Sequence, residues 1–448
     1  MKKKRILWLP NENMNPPQVL AIGFFALIAI GTVLLNTPFA SRNGASVGWL
    51  NALFTATSAT CVTGLTVVNT ASTYTSFGHF IIMLLIQAGG LGFMTMSTLL
   101  ALFLRRKITY KDRLVIREQM NVDTSAGIVR FIINVLKFTF IVEGVCALLL
   151  STRFIPRFGI TKGLWFSIFH SISAFCNAGF DLFGNSLLDF NNDWIVLLTI
   201  SSAIIIGGLG FVVCMDILTR KRYKRLHLQA KLVLTMTGIL ILAGTVAFLV
   251  LEWNNPGTLG ELNGSSKLLG AIFQSVTART AGFNSIDLSK FNDSSSFFMI
   301  MLMFIGAGSG STGGGIKITT FGVIFFTFLS VIRGYEDVNL FGRRLSEGVI
   351  RKSITIAMAA MFVVMGTMFA ISLLESFKFI QIAFEVVSAF ATVGVSQGIT
   401  PTLHVISKLL IIITMFIGRL GPLTMIYVFN TKVVPKNYRN AEGQISVG

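Results

Sequence analysis

Four short glycine-containing segments carry the residue types that a cation site built from backbone oxygens needs. They are Val62-Thr63-Gly64, Asn177-Ala178-Gly179, Thr280-Ala281-Gly282 and Thr392-Val393-Gly394. Carbonyl oxygens in an extended run can replace the hydration shell of a cation, and glycine adopts backbone angles that let those oxygens approach it. A single triplet of this kind is common by chance in an apolar sequence. Four of them in one chain are what a closed ring of carbonyl oxygens around an ion requires.

The same elements surround each segment in the same order. A short helix-like run precedes each segment, and a second glycine cluster follows 24 to 28 residues after each glycine. These clusters are Gly89-Gly90-Leu91-Gly92, Gly207-Gly208-Leu209-Gly210, Gly306-Ala307-Gly308-Ser309-Gly310 and Gly418-Arg419-Leu420-Gly421. Two elements that recur in a fixed order indicate internal repeats. We therefore predict four units, each with an apolar helix, a half-helix, a glycine-containing strand and a second apolar helix.

Composition places these repeats in a membrane. Of the 448 residues, 53% are hydrophobic and 12% are charged, whereas a soluble protein carries about 25% charged residues. The predicted fold class is an all-α polytopic membrane protein with four parallel helix–pore-loop–helix repeats, eight spans in all, around one pseudo-fourfold pore. A re-entrant loop at membrane depth must line a watery cavity or be buried in protein, and a glycine segment around an ion path satisfies this requirement.

The apolar runs place the spans and the half-helices. The predicted spans are Val19–Leu35, Phe77–Leu104, Val129–Leu150, Trp194–Leu218, Leu232–Glu252, Phe297–Leu329, Ile354–Leu374 and Val405–Phe429. The predicted half-helices are Trp49–Ala59, Leu164–Ala174, Leu268–Ala278 and Phe379–Ala389. Residues 1–108 hold an N-terminal basic segment and repeat 1, and 109–222 hold repeat 2. Residues 223–336 hold repeat 3 with a broken second helix, and 337–448 hold repeat 4 and the C-terminal tail.

The first apolar run is also compatible with a signal peptide, since a basic start precedes it. Val19–Leu35 is longer than the apolar region of a cleaved signal, and Pro16 and Pro17 are typical of a helix start. We therefore interpret it as a retained transmembrane helix.

The formal net charge of +18 is concentrated between the predicted spans. Most Lys and Arg residues lie in five clusters, Lys2–Arg5, Arg105–Arg117, Arg220–Lys231, Arg333–Lys352 and Lys432–Arg439. The positive-inside rule makes these clusters and both termini cytoplasmic, so that the glycine segments face outward. Charge distributed in this way argues against nucleic acid as a partner. The basic links and the tail Asn430–Gly448 are predicted either to dock a cytosolic partner or to be solvated loops beside membrane lipid.

Catalysis has no support in the sequence. The four cysteines (61, 146, 176 and 214) and four histidines (79, 170, 227 and 404) are scattered without metal-ligand or redox spacing, and the cysteines are typical of small packing residues. No His/Asp/Glu or Cys/His constellation indicates an enzyme. Gly308–Gly313 matches G-x-G-x-x-G, but a dinucleotide site needs a preceding strand, whereas Phe297–Ile305 is predicted to be a membrane helix.

The glycine-rich run in the third repeat predicts an interruption of its second helix. The run Gly306–Gly315 includes Gly306, Gly308, Gly310, Gly313, Gly314 and Gly315, and Lys317 follows it. A surface of small residues for helix packing is the alternative. The glycines exceed what packing needs, and each costs a helix about 1 kcal/mol. We predict a broken-helix loop inside the pore.

Arg419 occupies in the fourth repeat the place of Gly90, Gly208 and Ala307. An arginine inside a membrane helix is costly and normally faces a cavity or a partner. We predict that Arg419 and the run Gly306–Gly315 form a constriction just below the glycine segments. The alternative is an arginine that snorkels or has a structural partner.

Two further charged residues lie close to the glycine segments. Arg279 precedes the third segment, and we expect it to point away from the ion path and to pair with an acidic neighbour such as Asp287. Glu385 lies within the fourth half-helix. We expect it either to pair with Arg279 or to help hold the fourth segment.

These residues together resemble the Trk/Ktr/HKT superfamily of potassium transporters, and the Ktr branch within it. The resemblance rests on the four half-helix and glycine-segment units, the interrupted helix of the third repeat and Arg419, and it covers nearly the whole chain. It implies that the four segments form a potassium-binding filter, that Gly306–Gly315 and Lys317 belong to a gate, and that Arg419 faces this gate.

The resemblance also implies partners. It implies a homodimer in the plasma membrane, potassium uptake that is often sodium-dependent, and a cytosolic KtrA-like ring that binds the regulatory nucleotide. No cofactor is expected on this chain beyond potassium ions in the filter. Only the glycine is common to all four segments, which predicts fewer ion sites and looser selectivity than in a symmetric channel.

The main alternative is an ion-coupled secondary transporter of a small solute. Such a transporter usually needs inverted repeats and a buried acidic residue at the midplane. All four repeats here run in the same sense, and the candidate acids Glu143, Asp216 and Glu385 are scattered among them. The sequence therefore favours parallel repeats around one pore.

Overall fold

The fold was determined as a computed structural model that describes residues 14–92 and 127–429, together with Leu114. The basic clusters Lys2–Arg5, Arg105–Arg117 and Lys432–Arg439 lie outside the described residues, and so does the second half of the predicted span Phe77–Leu104. Within the described residues the regular secondary structure is helical apart from one two-stranded hairpin, Asn339–Leu340 with Arg343–Arg344. The predicted helical class is confirmed.

The described helices follow one another in four similar groups. The first is α1 (Pro16–Leu35), α2 (Trp49–Thr60), α3 (Thr70–Thr73) and α4 (Ser76–Leu91). The second is α5 (Ile128–Phe158), α6 (Ile160–Phe175), α7 (Trp194–Leu209) and α8 (Phe211–Arg220). The third is α9 (Leu228–Glu252), α10 (Gly264–Thr277), α11 (Asp293–Phe304) and α12 (Ile318–Ile332). The fourth is α13 (Glu347–Ser372), α14 (Phe379–Phe390), α15 (Val405–Leu420) and α16 (Pro422–Phe429).

Local sequence signals explain where several of these helices begin. Helix α1 begins at Pro16, and the backbone N–H of Asn15 donates to Gln18 Oε1 at 3.1 Å, which satisfies a group that the helix leaves open. The Asp193 carboxylate caps α7 by accepting from the Ile195 and Val196 amides at 3.0 and 3.2 Å.

Four described helices are long and apolar enough to cross a membrane by themselves: α1, α5, α9 and α13. Two bent pairs, α7 with α8 and α15 with α16, pass the same length and composition criteria when each is counted as one span. Helices α11 and α12 are shorter apolar helices, as is α4, which leads into residues that are not described. Of the eight predicted spans, the described residues therefore supply four continuous ones and two bent ones.

The predicted spans Trp194–Leu218 and Val405–Phe429 are each a bent pair of helices. Each pair turns by 96° at one glycine, Gly210 or Gly421. Gly210 has φ 97° and ψ 140°, and Gly421 has φ 88° and ψ 139°; Gly92, which ends α4, has φ 86° and ψ 143°. Only glycine adopts these angles readily. The last glycine of three of the four clusters therefore ends a helix.

The four groups pack in a closed cycle. The helix after each glycine segment lies against the half-helix of the next group: α4 on α6, α7 on α10, α11 on α14, and α15 on α2. Four fully buried phenylalanines, Phe54, Phe169, Phe273 and Phe384, anchor the half-helices α2, α6, α10 and α14 in the core. The cycle directs the C-terminal ends of the half-helices toward one another.

Candidate ion pathway

The four glycine segments meet backbone to backbone. A Cβ atom placed on Gly64 would lie 2.5 Å from the Ala178 carbonyl oxygen, and one on Gly179 would lie 2.8 Å from the Gly282 Cα. A Cβ on Gly282 would lie 2.6 Å from the Val393 carbonyl oxygen, and one on Gly394 would collide with the Thr63 carbonyl oxygen. Each glycine thus abuts the next segment, and the fourth returns to the first. No side chain fits at any of these four positions.

The segments also share an unusual backbone conformation. The residue two positions before each glycine has a positive φ: 57° at Val62, 58° at Asn177, 71° at Thr280 and 52° at Thr392. The glycines themselves have φ of 94°, 69°, 83° and 93°. A positive φ is strained for a β-branched residue, and such strain persists where the surroundings impose it. Sequence inspection missed this feature because valine and threonine carry no signal for it.

A hydroxyl group in each half-helix forms hydrogen bonds with the glycine segment that follows it. Ser58 and Ser388 accept from the Gly64 and Gly394 amides at 3.0 and 3.1 Å. Ser173, Thr277 and Ser388 donate to the carbonyl oxygen after their glycine, at 2.8, 2.6 and 2.7 Å. The third repeat has one residue fewer between hydroxyl and glycine. A recurring pattern, Phe, a polar residue, two others and Ser or Thr, marks all four half-helices in the sequence and was overlooked.

The second glycine clusters bring the helices close to the half-helix ends. Gly89, Gly207 and Gly418 each lie against one carbonyl oxygen, that of Thr60, Phe175 or Phe390, leaving no room for a Cβ. In the third repeat Gly306 instead lies against the Gly314 carbonyl oxygen, inside its own loop. The equivalent glycines therefore allow close helix packing in the first, second and fourth repeats, and they close the loop in the third repeat.

Residues 305–317 form a loop between α11 and α12, which we call the pore loop. The Gly306 amide donates to the Ile316 carbonyl oxygen at 2.8 Å, and the Ile318 amide donates to the Ala307 carbonyl oxygen at 3.0 Å. These two bonds close the base of the pore loop. The chain therefore leaves the helix and returns to it at nearly the same place.

The first half of the pore loop is hydrogen-bonded to the second repeat. The Gly308 amide donates to the Gly208 carbonyl oxygen at 2.8 Å, and the Phe211 amide donates to the Gly310 carbonyl oxygen at 3.0 Å. Gly210, at the bend between α7 and α8, lies so close that a Cβ would be 2.6 Å from the Ser309 carbonyl oxygen. The bend in the second repeat thus makes room for the pore loop.

The second half of the pore loop packs against the third and fourth glycine segments. The Gly314 amide donates to Thr392 Oγ1 at 2.9 Å. Gly313 abuts the Thr280 hydroxyl, and a Cβ on Gly315 would be 3.1 Å from Ala391 Cα. The pore loop therefore contacts the third and fourth glycine segments through their side-chain hydroxyls.

Arg419 joins the pore loop to the first repeat. One of its guanidinium nitrogens donates to the Thr312 carbonyl oxygen, and the other donates to the carbonyl oxygens of Gly89 and Gly90, the latter at 3.3 Å. The partners of this arginine are carbonyl oxygens, so it neither snorkels to a surface nor forms an ion pair among the described residues. The sequence predicts that Arg419 lies beside Gly306–Gly315, and the two are in contact in the structure.

Lys317 secures the pore loop from the other side. Its Nζ donates to the Gly313 carbonyl oxygen at 2.6 Å. Lys317 and Arg419 both line a cavity of about 410 Å³, to which Gly313, Gly315 and Lys352 also contribute. Among the described residues no glycine segment and no acidic side chain lines this cavity. The pore loop and Arg419 thus separate the glycine segments from a positively charged cavity.

The predicted pairing of Arg279 with an acidic neighbour, Asp287 or Glu385, needs correction. Asp287 forms an ion pair with Lys290 at 3.5 Å and not with Arg279. Arg279 is buried with its Nε unpartnered among the described residues, against an apolar surface that includes Ile204 and Ile241. Glu385 binds hydroxyl groups and not Arg279. Spacing along the chain could not reveal these partners because the loops fold back on themselves.

One charged residue lies just beyond the glycine segments. Among the residues two positions past the four glycines, Thr66, Asp181, Asn284 and Ser396, only Asp181 carries a formal charge. Its carboxylate accepts from the Phe183 and Gly184 amides at 2.9 and 2.6 Å. Burial raises the pKa of the Asp181 carboxyl, and these backbone hydrogen bonds partly oppose the shift.

The model of the TrkH family, described as a cation transport protein, matches residues 4–439. The chain belongs to the TrkH family. Ktr system potassium uptake protein B of Bacillus subtilis is 43% identical over 447 residues, which cover 100% of this chain and 99% of that protein. Potassium/sodium uptake protein NtpJ of Enterococcus hirae is 40% identical over 100% of this chain and 99% of its own length. The resemblance found in the sequence is confirmed.

A solved structure supports the same fold. The crystal structure of the potassium transporter TrkH from Vibrio parahaemolyticus superposes with a TM-score of 0.75, covering 93% of this chain and 86% of that one, at 16% identity. Membership of the TrkH family together with several apolar helices long enough to cross a bilayer makes the chain a membrane transport protein. The relatives are transport proteins and not enzymes.

Proposed function

We propose that this chain takes up potassium across the plasma membrane through a channel-like pore. The observation that carries the proposal is the closed ring of glycine segments around Gly64, Gly179, Gly282 and Gly394. The relatives in Bacillus subtilis and Vibrio alginolyticus are both Ktr system potassium uptake proteins, which supports potassium as the ion. In this proposal backbone carbonyl oxygens of the four segments bind dehydrated potassium ions.

The half-helices favour a cation at the same place. Helices α2, α6, α10 and α14 all end where the glycine segments begin. The C-terminal end of a helix carries partial negative charge, and four such ends converge on the ring. A cation at the centre therefore experiences a favourable field from every repeat.

The pore loop is the proposed gate. It lies beneath the third and fourth segments, and Arg419 and Lys317 hold it there through hydrogen bonds to its carbonyl oxygens. Two cationic side chains below a cation filter oppose the passage of potassium electrostatically. Opening requires that these hydrogen bonds break and that the pore loop move into the cavity of about 410 Å³.

The names of the relatives support partners for this chain. The Ktr relatives are named as members of a system, which supports a cytosolic KtrA-like ring that binds the regulatory nucleotide. In this proposal two copies of the chain form a homodimer in the plasma membrane with both termini in the cytoplasm. NtpJ is a potassium/sodium uptake protein, which supports a role for sodium as a coupled or activating ion.

Uptake of radioactive rubidium into proteoliposomes tests this function. The purified chain is assayed with and without the Arg419→Ala substitution, against unlabelled potassium, sodium or choline. Uptake that potassium inhibits more strongly than sodium, and choline not at all, supports the proposal. Uptake indifferent to potassium would indicate a secondary transporter of another solute instead.

A further inference from the structure

Each half-helix carries a buried polar side chain directly after its buried phenylalanine. The residues are Thr55, His170, Gln274 and Glu385, each at most 1% exposed. Each lies three residues before the hydroxyl group that ties its glycine segment, so both side chains lie on the same face of the half-helix. Burial of a polar group is costly unless it finds a partner. These four positions therefore indicate a second attachment behind each segment.

The attachments differ in chemistry from one repeat to the next. Thr55 accepts from the Tyr74 hydroxyl at 3.3 Å, and His170 Nε2 accepts from the Leu182 amide at 3.3 Å. The Gln274 amide contacts the Met299 sulfur at 3.8 Å, while its carbonyl oxygen has no partner among the described residues. Only Glu385 brings an ionisable carboxyl to this position.

Glu385 is bound by two hydroxyl groups from the chain that leaves the fourth segment. Ser396 Oγ donates to Glu385 Oε2 at 2.9 Å, and Thr400 Oγ1 donates to Oε1. The two hydroxyls lie 3.1 Å apart, and the Gly398 amide donates to Ser396 Oγ at 2.9 Å. Among the described residues no Lys or Arg forms an ion pair with Glu385. The carboxyl is a hydrogen-bonding hub for one short stretch of chain.

That stretch begins at the outer end of the fourth segment. Ser396 is two residues after Gly394, and Ser388 already holds the intervening Val395 carbonyl oxygen at 2.7 Å. Ser388 and Glu385 thus fix consecutive parts of the same exit from one face of α14. Loss of the Glu385 contacts frees Ser396 and Thr400 while leaving the Ser388 contacts in place.

We propose that Glu385 is a positioning residue that fixes the exit of the fourth glycine segment and so sets the preference between potassium and sodium. This inference rests on the proposed function. Carbonyl oxygens discriminate ions by their number and placement. A segment that has lost the Glu385 contacts is less firmly placed, so it accommodates the smaller sodium ion better. The role requires hydrogen bonds and not the charge of the carboxylate.

The experiment measures rubidium and sodium uptake by proteoliposomes with the full-length protein. The variants are Glu385→Leu, Glu385→Gln and the pair Ser396→Ala with Thr400→Val. The control is Glu252→Leu, because Glu252 is a buried carboxyl that accepts from the Thr258 hydroxyl at 2.6 Å and lies outside the glycine segments. Initial rates over a range of rubidium concentrations separate KM from the maximal rate.

Glu385→Leu is expected to lower the ratio of rubidium to sodium uptake, and to raise the KM for rubidium, by about five- to tenfold, because the hydrogen bonds from Ser396 and Thr400 are both lost. The Ser396→Ala, Thr400→Val pair is expected to do the same with Glu385 intact. Glu385→Gln retains both values within about twofold, because its amide accepts from one hydroxyl and donates to the other. Glu252→Leu lowers only the maximal rate.

A change in maximal rate alone for Glu385→Leu would overturn the inference, since that is what general destabilisation produces. Glu385→Gln behaving like Glu385→Leu would also overturn it, because the charge would then be what matters. If Glu385→Leu does not fold, the hydroxyl pair decides. Failure of both the wild-type protein and the Arg419→Ala variant to take up rubidium would instead contradict the proposed function.

Discussion

Arg419 donates a hydrogen bond to the Thr312 carbonyl oxygen, which lies 107 positions earlier in the chain and in a different repeat. The same guanidinium group reaches Gly89 and Gly90 in the first repeat. One side chain therefore joins the pore loop of the third repeat, the second helix of the fourth and the second helix of the first. A side chain with three such partners is placed to decide whether the pore loop stays under the glycine segments.

Replacement of Arg419 by alanine is expected to raise rubidium uptake in the absence of any cytosolic partner by about tenfold or more. Three hydrogen bonds through which Arg419 links the pore loop to α4 are lost, each contributing about 1 kcal/mol or more. Proteoliposome uptake measures the change. Arg351→Ala is the matched control, because Arg351 is 80% exposed and pairs with Glu347 at the surface. Equal uptake by the two variants would contradict a gating role for Arg419.

Lys317 and Arg419 hold neighbouring carbonyl oxygens of the pore loop, those of Gly313 and Thr312. Lys317→Met is therefore expected to raise uptake in the same direction as Arg419→Ala. Since both substitutions release one loop, their effects should not multiply, and the double variant should exceed the stronger single variant by less than about twofold. A double-mutant cycle of uptake rates measures this. Fully multiplicative effects would show that the two residues act on separate elements.

The bend at Gly210 is expected to matter more for the pore loop than the equivalent bend at Gly421. Both glycines have positive φ, so an alanine at either site strains the backbone by about 1–3 kcal/mol. At Gly210 the new Cβ would also lie 2.6 Å from the Ser309 carbonyl oxygen, while at Gly421 the nearest atom is Thr424 Oγ1 at 3.9 Å. The melting temperature should fall for both variants. Uptake without a partner should rise only for Gly210→Ala, and an equal rise for Gly421→Ala would argue against this.

Gly89 and Gly144 provide a test of the packing of the second helices. Gly89→Ala would drive a Cβ into the Thr60 carbonyl oxygen, whereas a Cβ on Gly144, inside α5, meets open space. Gly89→Ala should lower the melting temperature in detergent. Gly144→Ala should leave it unchanged or raise it, because alanine favours a helix over glycine by about 1 kcal/mol. A loss of stability at Gly144 similar to that at Gly89 would mean that the backbone approach at Gly89 is unimportant.

Sequence inspection predicted the features that depend on recurrence. The four glycine segments repeat with the same neighbours, and this predicted both the helical class and the meeting of Gly64, Gly179, Gly282 and Gly394. Arg419 was recognisable because an arginine stands where the other repeats have small residues. Each of these signals is visible by comparing one part of the chain with another.

The remaining features depend on contacts that the sequence pattern does not reveal. Glycine clusters in membrane helices favour close packing as readily as they favour a break, so the 96° bends at Gly210 and Gly421 were not predicted. The positive φ of Val62 and Thr392 runs against the preference of β-branched residues and is imposed by the surrounding backbone. The partners of Glu385 come from loops that fold back, so spacing alone could not distinguish Ser396 from Arg279.

Rubidium uptake by Gly394→Ala, compared with Gly398→Ala, shows whether the four glycine segments form one ion pathway. The two glycines have nearly the same φ, 93° and 89°, so both substitutions strain the backbone alike. Only at Gly394 does the new Cβ collide with a neighbouring segment, at the Thr63 carbonyl oxygen; Gly398 has open space. Gly394→Ala is therefore expected to lose potassium-sensitive uptake by about tenfold or more, while Gly398→Ala keeps most of it. Equal uptake by the two variants, with the wild-type preference for potassium, would show that the four segments do not form one ion pathway.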